Sequence, residues 1–219
     1  MTDELLREQI RYYRARAPEY DATTRPPGDP FADLAAEAVA DLRRIGPVDL
    51  AIELGAGTGQ WTRHVTAIAR AVVAVDAAPE TLELNAANVP AANVRRVVAD
   101  AFEFVPDRPA DLVVFSALLS HIPSVRFDAF WQAVDRALAA HGRVWLFDES
   151  PHGLWREEWV IDPDHEIVER TLEDGRRFRI VKVLWDPSDL TARLAAIGWH
   201  ASLVRRDPFY WGIVMRARG

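Results

Sequence analysis

A doubly wound α/β fold, a mostly parallel sheet flanked by helices, is what this 219-residue sequence predicts. Three observations lead there. Apolar runs of strand length recur along the chain: "DLAIEL" (49–54), "AVVAVD" (71–76), "VRRVVAD" (94–100), "DLVVFS" (111–116) and "GRVWLFDE" (142–149). Helical patterns separate several of them, at Gln60 to Ala69, Pro79 to Ala87 and Arg126 to Ala140, and repeated strand and helix imply a parallel sheet. Finally, the first run leads straight into three glycines at alternate positions, Gly55, Gly57 and Gly59, which turn the chain sharply and bring bare backbone N–H groups to a ligand.

Before the first strand, Asp3 to Ala17 reads as a helix with Leu5, Leu6, Ile10 and Tyr13 near one face, interrupted by Pro18 and the stretch "TTRPPGD". A second helix has Asp29 as N-cap, Pro30 in its first turn, an apolar face through Leu34, Ala38 and Leu42, and Gly46 as its stop. Beyond Trp155 the rhythm breaks. "EIVERTLEDGRRFRIVKVLW" reads as a hairpin around Glu173-Asp174-Gly175, outside the parallel register. A capped helix from Pro187 to Ile197 then leads to two antiparallel strands, Ala201 to Arg205 and Phe209 to Arg216, which bring the sheet to seven strands. We divide this single domain into an N-terminal cover (1–28), a cofactor-binding core (47–149), a hairpin flap (151–185) and a C-terminal helix and strand pair (186–219).

Composition narrows the function. With 49% hydrophobic residues the chain can bury one substantial core. A net charge of −7 argues against a surface that neutralises nucleic acid. The absence of cysteine excludes thiolate nucleophiles, disulfides and cysteine-bound metals. Neither a secretory leader nor a membrane span is indicated, so the expected protein is cytoplasmic, a monomer or homodimer, and without a membrane partner.

The glycine loop discriminates between ligands. The dinucleotide pattern G-x-G-x-x-G needs glycine at position 60, where Gln60 stands. Glu53, at the end of the first strand, would also repel a pyrophosphate and attract a cation. S-adenosylmethionine, with its sulfonium and ammonium groups beside a carboxylate, suits an acid on one side and backbone donors on the other. Asp76 closes the second strand 21 residues past Gly55, near the spacing of about 20 at which a carboxylate accepts ribose hydroxyls.

"ELGAGTG" (53–59) resembles motif I of the class I S-adenosylmethionine-dependent methyltransferases, whose fold is Rossmann-like. "YYRARAPEYD" (12–21), 120–149 and 172–199 are similar to a subgroup of bacterial small-molecule enzymes of that family. The resemblance implies a cofactor site built from Glu53, Gly55, Ala56, Gly57 and Gly59, with Asp76 and Ala77 at the ribose. Asp100 would take the adenine amino group and Ala101 and Phe102 its ring, while Ser116 borders cofactor and acceptor. Tyr13 and Tyr20, with Tyr12, would close the N-terminal segment over the cofactor, and Trp61 follows the loop either as a cofactor contact or as core. S-adenosyl-L-homocysteine would be the product.

His121, just past the fourth strand, is the candidate general base; the alternative is a histidine that pins its loop before Pro123. His64, His141, His152, His165 and His200 are less well placed, His141 fitting a helix C-terminus. Glu149, Trp155 and Trp159 are candidates for an acceptor pocket, whereas Lys182, Arg176, Arg177 and Arg179 read first as a solvated strand face and second as partners for an acidic acceptor. The loop "SALLSHIP" lacks both the Asn/Asp-Pro-Pro-aromatic signature of enzymes acting on amide and exocyclic nitrogens and the aspartate of metal-dependent catechol enzymes. The expectation is metal-free transfer to an oxygen or nitrogen of a small molecule, by in-line displacement. Rival readings are a nicotinamide-dependent oxidoreductase and a catalytically silent S-adenosylmethionine-binding module.

Overall fold

The structure, a computed structural model, describes residues 2–152, 160–162 and 166–217. Its core is a seven-stranded sheet made of β1 (Val48–Leu54), β2 (Ala69–Asp76), β3 (Val94–Val98), β4 (Ala110–Ser116), β5 (Leu138–Glu149), β9 (Trp199–Arg206) and β10 (Phe209–Arg216). The strand order is β3-β2-β1-β4-β5-β10-β9. The paired strands among β1 to β5 run parallel, β10 lies antiparallel between β5 and β9, and the order reverses beside β1. That reversal is where an open α/β sheet leaves a crevice.

Successive side chains alternate between two covered faces. Leu50, Ile52 and Leu54 of β1 point into one core cluster with Val113, Phe115 and Leu146, where α6 (Phe127–Ala137) contributes the fully buried Phe130 and Trp131 and α7 (Pro187–Ala196) contributes Leu190 and Leu194. Ala51, Val72, Val114, Trp145 and Trp211 point the other way, onto Ala38 and Leu42 of α3 (Ala32–Arg44) and Val65 of α4 (Thr62–Val65). Both faces are sealed, so the strands are apolar throughout. Two interior acids break this rule: Glu53 of β1, 3% exposed, and Asp148 of β5, 1% exposed.

The N-terminal cover consists of α1 (Thr2–Arg16), a 3-10 turn at Ala17–Glu19 and α2 (Tyr20–Thr24). The flap is a second sheet of β6 (Val160–Asp162), β7 (Ile167–Thr171) and β8 (Arg177–Val181), in which β7 and β8 form the expected hairpin and β6 was not foreseen. Tyr12 of α1 packs with Val168, Leu172 and Ile180 in a satellite core, so the flap leans on the cover.

Several boundaries differ from the sequence reading. Helix α3 starts at Ala32 with Phe31 as N-cap, because Asp29 spends its carboxylate on the Phe31 N–H (2.9 Å) in a turn that precedes the helix. The helix after the glycine loop, expected over 60–69, is the four-residue α4: Val48 N–H bonds to Ile68 O at 2.8 Å and pairs with Ala69, which draws the chain into β2 early. Strand β5 begins at Leu138 rather than Gly142, through a register shift opposite Ala110 and Leu112. His141 consequently sits exposed in a strand and not at a helix C-terminus.

Candidate active site

Parallel pairing sets Leu54 beside Val75 on one side and Phe115 on the other. The residues that follow them, Gly55, Asp76 and Ser116, therefore emerge in line at the C-terminal edge of the sheet. Val98 pairs with Asp76, which carries Asp100 to the same edge one strand further out. Two cavities lie over this edge. The smaller, of about 140 Å3, is lined by Gly55, Gly57, Asp76, Ala77, Asp100, Ala101, Phe102 and Ser116 below and by Leu6, Gln9, Ile10 and Tyr13 of α1 above. The larger, of about 830 Å3, is lined among others by Glu53, Ala56, Trp61, Phe147, Glu149 and Lys182. Tyr13, Tyr20, Gly55, Gly57, Ser116, Ala117 and His121 line both, so the two spaces share a wall.

Backbone amides preset the carboxylates. Asp76 accepts from the Gly57 N–H at 2.8 Å with one oxygen and from the Ala78 N–H at 2.9 Å with the other. Burial raises its pKa above the ordinary aspartate value while those two amides oppose the rise. Thr81 and the Ala77 N–H add smaller opposing contributions, and the carboxylate lines the cavity where a ligand hydroxyl can reach it. Asp100 accepts from the Phe102 N–H at 2.8 Å, and the Phe102 ring is held between Phe130, 5.9 Å away, and the Arg126 guanidinium, 4.1 Å from its centre.

The glycines divide by task. Gly57 adopts φ +52°, and a side chain there would find no atom nearer than 4.0 Å, only the space of the cavities it lines. Gly59 is a correction to the sequence reading: it lines neither cavity, and a Cβ there would meet Val89 at 2.9 Å, so it is needed for close packing against α5 (Pro79–Asn88). Ala117 holds φ +48°, a conformation rare for a residue with a side chain, on the wall between the cavities.

Glu53 is a strongly perturbed carboxyl group of the site. Burial pushes its pKa up to about 8, against the pull of a Thr62 hydrogen bond, and the nearby Asp76 charge adds to the rise. Its Oε2 is buried without a hydrogen-bond partner. An unpartnered acid beneath a bed of backbone donors fits a ligand that brings its own ammonium group.

His121 uses both ring nitrogens. Nδ1 lies 2.7 Å from Val181 O of the flap and Nε2 lies 2.8 Å from the Tyr13 hydroxyl of the cover. The carbonyl can only accept, so Nδ1 carries the hydrogen and Nε2 accepts from Tyr13. Burial, with the Lys182 charge second, pushes the pKa down to about 3, so the ring is neutral near pH 7.

Lys182 is a second correction. Its side chain is 8% exposed, not solvated, and its ammonium lies 2.9 Å from Glu149 and 3.2 Å from the Ser120 hydroxyl. Arg176, Arg177 and Arg179 do lie on the exposed flap, paired with Asp174, Glu169 and Glu8. Trp61 borders the larger cavity while packing 4.9 Å from Trp145 and 5.0 Å from Phe147. Tyr12 is core against Phe178 with an edge on the same cavity. His64 packs on Trp61, His152 pairs with Asp186 at 2.6 Å, and His200 is exposed on β9; none lines either cavity. Trp155, Trp159 and His165 lie outside the described residues.

A methyltransferase-domain family profile matches residues 51–142, from β1 into β5. A solved structure described as a DhpI–SAH complex is 37% identical, with a TM-score of 0.85 and 100% of both chains covered. The chain belongs to the class I S-adenosylmethionine-dependent methyltransferases. A DhpI–SAM–HEP complex is 39% identical over 98% of this chain and 99% of that one, with a TM-score of 0.85. A Burkholderia thailandensis 1,6-didemethyltoxoflavin-N1-methyltransferase, at 17% identity and a TM-score of 0.68 over 100% of this chain and 91% of that one, shares the fold. No curated protein sequence matches.

The cofactor of this methyltransferase is S-adenosylmethionine, with S-adenosylhomocysteine as product, and the residues present fit it. Glu53 and the loop amides would hold the amino-acid end, Asp76 the ribose, and Asp100, Ala101 and Phe102 the adenine. The cofactor supplies an electrophilic methyl group on a sulfonium; the chain binds, aligns and dries the site. Sequence reasoning passed over Gln9 and Leu118. Gln9 donates to His121 O at 3.1 Å and accepts from the Val181 N–H at 3.0 Å, and Leu118 would touch a Cβ at Gly55 at 3.2 Å. A glutamine on the otherwise apolar face of α1 was the available signal for the first; an ordinary leucine gives none.

Two outcomes follow. Asp76→Ala should weaken S-adenosylhomocysteine binding by roughly 1–3 kcal/mol in calorimetry; unchanged affinity would remove Asp76 from the site. Glu53 has a folded pKa of about 8 against 4.5 in the ordinary state, so between those values the fold retains a proton that the unfolded chain has lost. Ligand-free stability therefore falls as pH rises from about 5 to 9, by on the order of a few kcal/mol. Glu53→Gln should flatten that decline in thermal melts while weakening the cofactor; equal slopes would show that Glu53 titrates normally.

Proposed function

We propose that this methyltransferase moves the methyl group to an oxygen or nitrogen of a small-molecule acceptor in the larger cavity, by in-line displacement and without a metal ion. The shared wall carries this reading: a cofactor with its adenosine end in the smaller cavity extends its amino-acid end past Gly55 and Gly57 toward Glu53, so its methyl group faces the larger cavity near Tyr20, Ser116 and Ala117. The larger cavity is roofed by residues of the cover and flap, among them Arg16, Tyr20, Glu169 and Ile180, which favours a compact acceptor over a polymer. A relative with HEP and SAM in one complex supports a two-ligand site. Among the described residues no three His, Asp or Glu side chains gather as metal ligands.

Transfer from a cation to a neutral or anionic nucleophile disperses charge, so a dry, aligned site does much of the work. In this reading His121 is a pin. It ties the cover, through Tyr13, to the flap, through Val181, and it can take a proton from an acceptor only if Tyr13 releases Nε2.

With a methyl-labelled cofactor and a pool of low-mass metabolites, label should appear in a low-mass product; label confined to protein or nucleic acid would overturn the reading. The rate should show no inflection from His121 between pH 5 and 8, because its pKa lies near 3. His121→Ala should instead weaken S-adenosylhomocysteine on the order of tenfold by loosening the cover. A rate that titrates near pH 6.5 and loses that inflection in the variant would restore the histidine as base.

A further inference from the structure

The glycine loop carries two polar side chains that the cofactor reading leaves without a task, Thr58 and Gln60. Both reach up to the cover. The Thr58 hydroxyl donates to one oxygen of Asp21 in α2 at 2.6 Å, and the Gln60 amide donates to the same oxygen at 2.7 Å and to the Thr24 hydroxyl at 2.8 Å. From the end of α5, the Asn88 amide donates to the other Asp21 oxygen at 3.3 Å and to Thr58 O at 2.9 Å. One carboxylate thus gathers donors from the loop and from α5 into a single node.

Asp21 itself lines neither cavity, although its neighbour Tyr20 lines both. Its charge is spent on the protein. The Tyr20 ring is held from its other side by the Arg16 guanidinium, 4.7 Å from its centre. Residues of α1 and Tyr20 roof the cofactor cavity, so lifting the cover at α2 to open it breaks the Asp21 node. The residue that spoils the dinucleotide pattern, Gln60, has a physical reason to be there: a glycine at 60 could not reach Asp21.

We propose that Asp21 is a positioning residue, the catch that fastens the cover to the glycine loop through Thr58 and Gln60, fixes Tyr20 between cofactor and acceptor, and sets the rate at which S-adenosylhomocysteine leaves. The catch belongs to this chain's own pairing of a cover acid with loop donors, and it does not depend on which acceptor the larger cavity takes.

The test measures S-adenosylhomocysteine dissociation from the full chain by stopped-flow tryptophan fluorescence, with thermal midpoints as the folding control. Asp21→Ala should release the product roughly tenfold faster, since hydrogen bonds to a charged group are lost. Gln60→Glu, nearly the same size, should do the same by setting carboxylate against carboxylate. The double variant Asp21→Asn/Gln60→Glu exchanges amide and acid, and it should slow release back toward the wild-type rate. If Asp21→Ala fails to fold, the two near-isosteric variants still decide. Wild-type release from Gln60→Glu, or a double variant as fast as Gln60→Glu, overturns the proposal.

Discussion

The parallel register of β1 against β2 and β4 is the constraint from which the site follows. Backbone hydrogen bonding fixes Leu54 opposite both Val75 and Phe115, and the chain leaves all three strands at one level. Glycine, aspartate and serine thereby arrive together without any long-range contact being tuned for it. A one-residue slip would turn Leu54 toward the face of α3 and bring Glu53 into the apolar cluster around Phe115. The sealed faces make such a slip costly, so the core that stabilises the sheet also fixes the spacing of the ligand groups.

On that frame, polarity is introduced sparingly. Asp76 is steadied by two amides; Lys182 is matched by Glu149 and Ser120. Glu53 differs, an interior acid whose Oε2 is buried without a hydrogen-bond partner. The fold thus holds a group whose burial costs it stability at alkaline pH, and which in the proposed site faces the ammonium end of the cofactor.

Much of this was legible in the residues because it depends on local rules. Strand-length apolar runs, glycines at alternate positions and acids at strand ends locate β1 to β4, Asp76 and Asp100 without tertiary information. What stayed hidden depends on contacts between distant segments. Lys182 looks like any cation of an exposed hairpin until Ser120 and Glu149 of β5 meet it. Gly59 fits the loop pattern as well as Gly57 does, and only the approach of Val89 separates packing from binding. The pairing that shortens α4 is made by Val48 and Ile68, a strand apart, and no helical propensity reports it. His121 could be read two ways from its position alone; the Tyr13 hydroxyl and the Val181 carbonyl, 108 and 60 residues away, decide what its nitrogens do.

The flap's footing has a consequence for how this enzyme can change. Strands β7 and β8 rest on Tyr12 through a small satellite cluster, apart from the two layers that hold the main sheet. Residues there can be exchanged while the central architecture keeps its packing, so on the proposed placement of the acceptor the scaffold separates the part that holds a methyl donor from the part free to drift with a new recipient. Diversifying the inward positions of that small sheet is therefore the economical route to retargeting this catalyst.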